Sequence, residues 1–251
     1  MAEPRIRLVT RGDDSGMCHT ANVAVLRAFE EGILRNTSLM VPCPAFEEAA
    51  EMFCDLDGLC VGLHACLNAE WDEVRWGPVL PPEVVPSLVD EDGYLFQTTQ
   101  ALHANGPDPD EMMAEIAAQL ELARARGLDI VYIDCHMGFS WIADLEERVP
   151  RFAEREGLIY RPEGLSRLPD GQGEFENPVQ ELIGRLEAAE PGTYLIVGHP
   201  GYDNEEMARL GHEGSRDVGR RRDWQRRIFM DREVIDYCAA NGVEPIRFTD
   251  L

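Results

Sequence analysis

Lysine is missing altogether: apart from histidine, every basic side chain of the 251-residue chain is arginine, 23 of them against 47 aspartates and glutamates. A formal charge of −24 repels polyanions at long range. It argues against nucleic acid or an anionic membrane as partner and suits a neutral or cationic ligand. Without lysine there is no carbamylated lysine to bridge a pair of metal ions. No apolar run approaches the length of a membrane span, and residues 1–5 carry no signal-peptide core, so a cytoplasmic protein is expected. The seven cysteines, Cys18, Cys43, Cys54, Cys60, Cys66, Cys135 and Cys238, are odd in number and form no C-x-x-C pair. That disfavours a zinc knuckle and fits reduced thiols better than a disulfide framework. Nor is there a repeat, a low-complexity stretch or a linker, so one domain over residues 1–251 is expected, long enough for a substantial core.

What is present is organised around its first apolar run. Ile6, Leu8 and Val9 read as a buried strand that ends in Gly12-Asp13-Asp14-Ser15-Gly16. The two glycines allow a sharp turn, so the adjacent carboxylates are presented at the strand's carboxyl end. Two such neighbours repel and lose hydration when buried, and need a cation or a donor network. Downstream, strand-like runs at residues 38–41, 59–63, 130–133, 158–160, 194–198 and 245–248 alternate with helical patterns. The helices fall at residues 19–31, 44–53, 109–126, 146–156, 178–189 and 231–240. The third has Asp108 as N-cap, Pro109 at its first position and Gly127 as terminator, with Met113, Ile116, Ala117, Leu120 and Ala123 toward the core. Such alternation implies a parallel sheet. With no G-x-G-x-x-G after the first strand, an α/β distorted (β/α) barrel of about seven parallel strands is favoured over an open doubly wound sheet. Residues 65–107 form a long insertion whose Trp71 and Trp76 either stack on sugar rings or pack the loop onto the barrel.

Asp13 and Asp14, His64, Asp134 and His136, and His199 each lie at or just past the carboxyl end of a different predicted strand. In a parallel barrel those ends form one rim. A carboxylate with two imidazoles is a common set for Zn²⁺ and similar divalent ions, with positions left for water and substrate. A metal-dependent phosphoesterase or amidohydrolase would use the same residue types, and a non-catalytic sugar-binding barrel is a further alternative. Assembly is left open, a homodimer included.

These residues also carry a resemblance. Thr10-Arg11-Gly12-Asp13-Asp14-Ser15-Gly16 resembles the N-A-D-D-F-G segment of the YdjC-like carbohydrate deacetylases, a group that includes chitooligosaccharide and hopanoid-pathway deacetylases. Gly62-Leu63-His64 with Leu67-Asn68 is similar to their G-L-H-x-x-L, Asp134-Cys135-His136 to D-S-H, and His199-Pro200-Gly201 to H-P-G. Arg220 and Asp223 are similar to a later R-x-x-E/D. The order is kept over nearly the whole chain. The resemblance implies a distorted seven-stranded barrel that hydrolyses the N-acetyl group of an amino sugar or oligosaccharide. It implies one divalent metal, Zn²⁺ or Mg²⁺, on Asp14, His64 and His136, with Asp13 as general base and His199 as general acid. Ser15 stands where the family usually has Phe or Ala, and Gly138 where many members have a second His, which bears on the substrate pocket.

The arginine-rich stretch of Arg216, Arg220, Arg221, Arg222, Arg226, Arg227 and Arg232 is interleaved with Asp217, Asp223 and Asp231. In so acidic a chain it reads as local ion pairing and as a means of orienting Asp13, not as a nucleic-acid surface. Strand alternation places Cys135 and His136 on opposite sides, so Cys135 is not expected among the ligands.

Overall fold

The computed structural model describes residues 5–171, 177–213 and 217–251. Residues 1–4, 172–176 and 214–216, Arg216 among them, lie outside the described residues. Strand β1 (Ile6–Ser15) is central to one parallel sheet with β2 (Asn36–Leu39), β3 (Cys60–Ala65), β4 (Ile130–Cys135), β5 (Ser166–Arg167), β6 (Gly192–Gly198) and β7 (Val243–Ile246). The order is β4-β3-β2-β1-β6-β5. One edge of β1 is shared in sequence, its first half pairing β7 and its second half β2, while β6 runs along the other edge. The sheet curls into a half-barrel, the distorted barrel expected.

Its opening lies between β4 and β5. The run at residues 158–160, expected as a strand, makes a single parallel bridge, Ile159 to Tyr132. Arg161 then turns into the left-handed region at φ 46°, and Pro162, which has no N–H, cannot continue a ladder. The two-residue β5 beside Tyr194 and Leu195 takes the fifth place instead.

The helices are α1 (His19–Glu31), α2 (Phe46–Phe53), α3 (Thr99–Ala104), α4 (Pro109–Ala125), α5 (Leu145–Glu156), α6 (Pro178–Ala188), α7 (Val218–Met230) and α8 (Arg232–Ala240). Asp108 caps α4 by accepting from the Asp110 N–H, as its sequence implies. Its buried face is rotated from the expected one, however. Met112, Glu115, Ile116, Gln119, Leu120 and Ala123 are buried, while Met113 and Ala117 are only partly so. The two buried polar side chains hold the insertion: Glu115 accepts from the Val79 and Leu80 N–H groups, and Gln119 bonds both backbone groups of Cys66. Those bonds pin it to the barrel. Helix α7 went unseen in the arginine-rich stretch because few of its residues are apolar; only Val218, Gly219, Arg222 and Phe229 are buried in it.

Alternation along the strands layers the interior. Val9, Cys60, Tyr132, Ile246 and Phe248 form a buried apolar floor. Arg11 and Asp13 follow Val9 on the same face of β1, as His64 follows Cys60 on β3 and Asp134 follows Tyr132 on β4. Gly62 makes room for this packing, since a Cβ there would lie 2.3 Å from the Tyr132 ring.

Candidate metal centre

The adjacent aspartates do not lie in a turn. Strand β1 continues to Ser15, and its register with β2 shifts between Gly12 and Ser15. Asp14 sits in this bulge at φ 65°, a conformation Asp tolerates better than most residues. Plain alternation would send the two carboxylates to opposite faces. The bulge lets both enter the interior, where they are 3% and 2% exposed.

They meet different partners there. Arg11 grips Asp13 with a fork, Nε donating to Oδ1 at 2.7 Å and Nη2 to Oδ2 at 2.8 Å. The same Nη2 lies 3.0 Å from Asp134 Oδ2. Asp14 Oδ2 accepts from Arg222 Nη2 at 2.8 Å, while its Oδ1 is buried with no hydrogen-bond partner. That oxygen faces His64 Nε2 at 3.4 Å and His136 Nδ1 at 3.5 Å. The remaining nitrogen of each ring is tied to a carboxylate, His64 Nδ1 to Asp134 Oδ2 at 3.0 Å and His136 Nε2 to Glu70 Oε2 at 2.9 Å. Carboxylates behind ligating histidines fix the ring and raise its basicity.

An unsatisfied buried carboxylate oxygen facing two oriented ring nitrogens fits a divalent cation, and the three ligand atoms lie within 4.8 Å of one another. A second group, Asp13, His64 and Asp134, meets the same distance limit. There the Arg11 guanidinium already supplies the positive charge. The electrostatics agree. Burial alone would raise the Asp14 carboxyl, but Arg222, His199 and the two imidazoles hold it well below the usual carboxylate range. Burial alone would lower His64, yet Asp134, Asp14 and Asp13 outweigh it and push it up to about 10. His136 is raised against burial by Glu70, Cys66 and Asp14.

His199 follows β6 and lines the same cavity of about 330 Å³, whose walls include Trp71, Met137 and Gln225. A larger cavity of about 720 Å³ fills the opening between β4 and β5 and shares Arg11, Cys135 and Gln225 with it. Of the two expected tryptophans, Trp71 lines the cavity of the candidate centre, with the Arg222 guanidinium 5.7 Å from its ring centroid. Trp76 is 3% exposed, donates to Asn68 O at 3.0 Å and packs the insertion. Arg220 and Asp223 do not reach the centre. Arg220 is exposed beside Asp217, and Asp223 binds Arg226 and Arg227. Two residues on, about 200° around α7, Arg222 and Gln225 occupy the places expected for that pair. Cys135 borders both cavities, and burial pushes its thiol up to about 12. All seven cysteines are free.

Arg11, Glu70 and Gln225 were missed in the sequence, and Arg222, expected within a stretch that orients Asp13, pairs instead with Asp14, Asp13 being held by Arg11 from β1. Of those missed, only Arg11 left a local signal, being two residues before Asp13 on one strand face.

A parallel half-barrel with an Asp-His-His cluster at its carboxyl rim defines a class of barrel with a candidate single-metal centre. Residues 7–240 match the family described as YdjC-like protein, and the chain belongs to that family. It is similar to a carbohydrate deacetylase from Thermoanaerobacter pseudethanolicus, with 26% identity over 94% of this chain and 95% of the relative. A carbohydrate deacetylase from Geobacillus stearothermophilus is 28% identical, over 97% of each chain. Among solved structures, a candidate cellobiose-phosphate cleavage protein from Enterococcus faecalis V583 superposes with a TM-score of 0.80, 19% identity and 99% coverage of both chains. A peptidoglycan N-acetylglucosamine deacetylase gives a TM-score of 0.53 at 11% identity, covering 98% of this chain and 92% of the other. At these identities the two structures bear on the fold alone.

Proposed function

We propose that this chain is a metal-dependent carbohydrate deacetylase, removing the N-acetyl group from an amino sugar or oligosaccharide. The observation that carries the reading is the division between the two aspartates. Asp14 turns an unsatisfied oxygen to His64 and His136, while Asp13 is held apart by Arg11. The names of the relatives in the same family supply the substrate class.

Asp14, His64 and His136 would hold the cation, which when bound polarises the amide oxygen and acidifies a water molecule. Asp13, aligned by Arg11, would take a proton from the attacking water as its oxygen bonds to the acetyl carbon. His199 gives a proton to the amine nitrogen as the C–N bond breaks, because an amine departs poorly as an anion. Acetate and a free amino sugar result. The larger cavity beside Gln225 offers room for further sugar units.

Zn²⁺ and Mg²⁺ are both compatible with the donor set, and one ion per chain is proposed. Among the described residues no helix is long and apolar enough to cross a membrane; with free thiols throughout, we assign the chain to the cytoplasm. The test is elemental analysis together with acetate release from a panel of N-acetylated sugars. One ion per chain and acetate release support the reading. Two ions with phosphate-ester cleavage and no acetate release would replace it by the phosphoesterase alternative.

A further inference from the structure

Gln225 makes two hydrogen bonds to His199 with a single atom. Its Oε1 lies 2.6 Å from the His199 backbone N and 2.8 Å from the ring Nδ1. A backbone N–H can only donate, so the amide group facing it is the carbonyl oxygen and not the NH₂. That oxygen can only accept. The hydrogen between it and the imidazole must therefore sit on Nδ1, and Nε2 is left as the nitrogen that gains and gives up a proton.

The backbone holds this arrangement tightly. A Cβ on Gly198 would come within 2.9 Å of the Phe229 ring. One on Gly201 would come within 3.1 Å of Arg222 Cβ, and the Gly201 N–H donates to Arg222 O at 3.3 Å. Glycine on either side of His199-Pro200 thus lets α7 approach the end of β6 closely. Arg222 and Gln225, three residues apart and therefore on one helical face, then reach Asp14 and His199 respectively.

We infer that Gln225 is a positioning residue that fixes neutral His199 as the Nδ1–H tautomer and turns Nε2 toward the leaving amine; the inference rests on the deacetylase reading for its chemistry. In the step it serves, the Nε2 proton of the imidazolium passes to the amine nitrogen. The C–N bond pair goes to that nitrogen, and His199 returns to the neutral Nδ1–H form. Solvent then restores the Nε2 proton. The opposite tautomer would set a ring lone pair against the Gln225 oxygen and would have no acceptor left at Nε2.

The test uses metal-loaded protein with ¹⁵N-labelled histidine, His199 being assigned from its loss in His199→Ala. Long-range ¹H–¹⁵N spectra above the titration of His199 should show Nδ1 protonated and Nε2 bare. Gln225→Leu keeps bulk but has no acceptor, and should lose the tautomer preference and about 10–100-fold in kcat with KM within about threefold and bound metal unchanged. Gln225→Glu keeps the oxygen and should restore the tautomer and most of kcat. An Nε2–H tautomer in the wild type overturns the inference, and so does Gln225→Leu with both tautomer and kcat unchanged. Should Gln225→Leu fail to fold, the wild-type and Gln225→Glu spectra still decide. An Nδ1–H tautomer in a protein that releases no acetate from any N-acetyl sugar would sink the deacetylase reading while supporting the positioning.

Discussion

Arg11 and Asp13 lie two residues apart on one strand, and their paired contacts at 2.7 and 2.8 Å hold this carboxylate apart from the Asp14-His64-His136 cluster beside it. On the proposed reading Asp14 is the anionic ligand, and the two substitutions should separate. Asp14→Asn replaces an anion by a neutral amide and should abolish metal binding at ordinary concentrations, with activity partly returning at high metal. Asp13→Asn should retain the metal and lose about 10²–10⁴-fold in kcat, which added metal does not restore. Metal stoichiometry and kcat measured side by side decide it; metal lost only from the Asp13 variant would reverse the assignment.

Glu70 stands behind His136 at 2.9 Å on a buried ring nitrogen. Glu70→Gln keeps the shape and removes the charge that would strengthen His136 as a ligand. Metal affinity should fall about 10–100-fold, as read by competition with a chromophoric chelator. Unchanged affinity would reduce Glu70 to a packing role.

The two tryptophans of the insertion should also part company. Trp76 is buried away from the centre, and Trp76→Ala should cost about 3–5 kcal/mol of stability with KM unaltered for the folded fraction. Trp71 donates to Met17 Sδ at 3.2 Å and borders the cavity beside Arg222. Trp71→Ala should therefore lower the melting temperature and raise KM together. Melting curves and saturation kinetics on both variants test the contrast, which fails if Trp76→Ala alone raises KM.

Burial by itself would raise the Asp134 carboxyl, but Arg11 and His64 outweigh it and hold it at about 2, below its ordinary 3.8. A depressed acid stabilises the fold above its unfolded value and loses that contribution as pH falls through the folded one. In metal-free protein, up to about 2 kcal/mol should vanish between roughly pH 4 and 2. Asp134→Asn should be the less stable form at pH 6 and approach the wild type near pH 2.5. A stability gap that stays constant with pH would show that the ion pair does not govern acid unfolding.

Residue order alone determined much of this. The apolar runs of the first, second, third, fourth and sixth strands, the α4 cap at Asp108, and the placing of Asp13, Asp14, His64, His136 and His199 near strand ends are local features. Each is visible in a few neighbouring residues, because strand period, capping and parallel alternation act over short separations. What joined them was decided only in the tertiary structure. Whether Asp13 or Asp14 faces the imidazoles depends on a bulge in the β1–β2 register. Whether Arg220 and Asp223 or Arg222 and Gln225 reach the centre depends on how α7 is turned against β6, which glycines 198 and 201 permit. Glu70 meets His136 across 66 residues, and Arg222 meets Asp14 across 208. No periodicity in the chain reports contacts at such distances, since they exist only once the sheet has curled and brought the strand ends together.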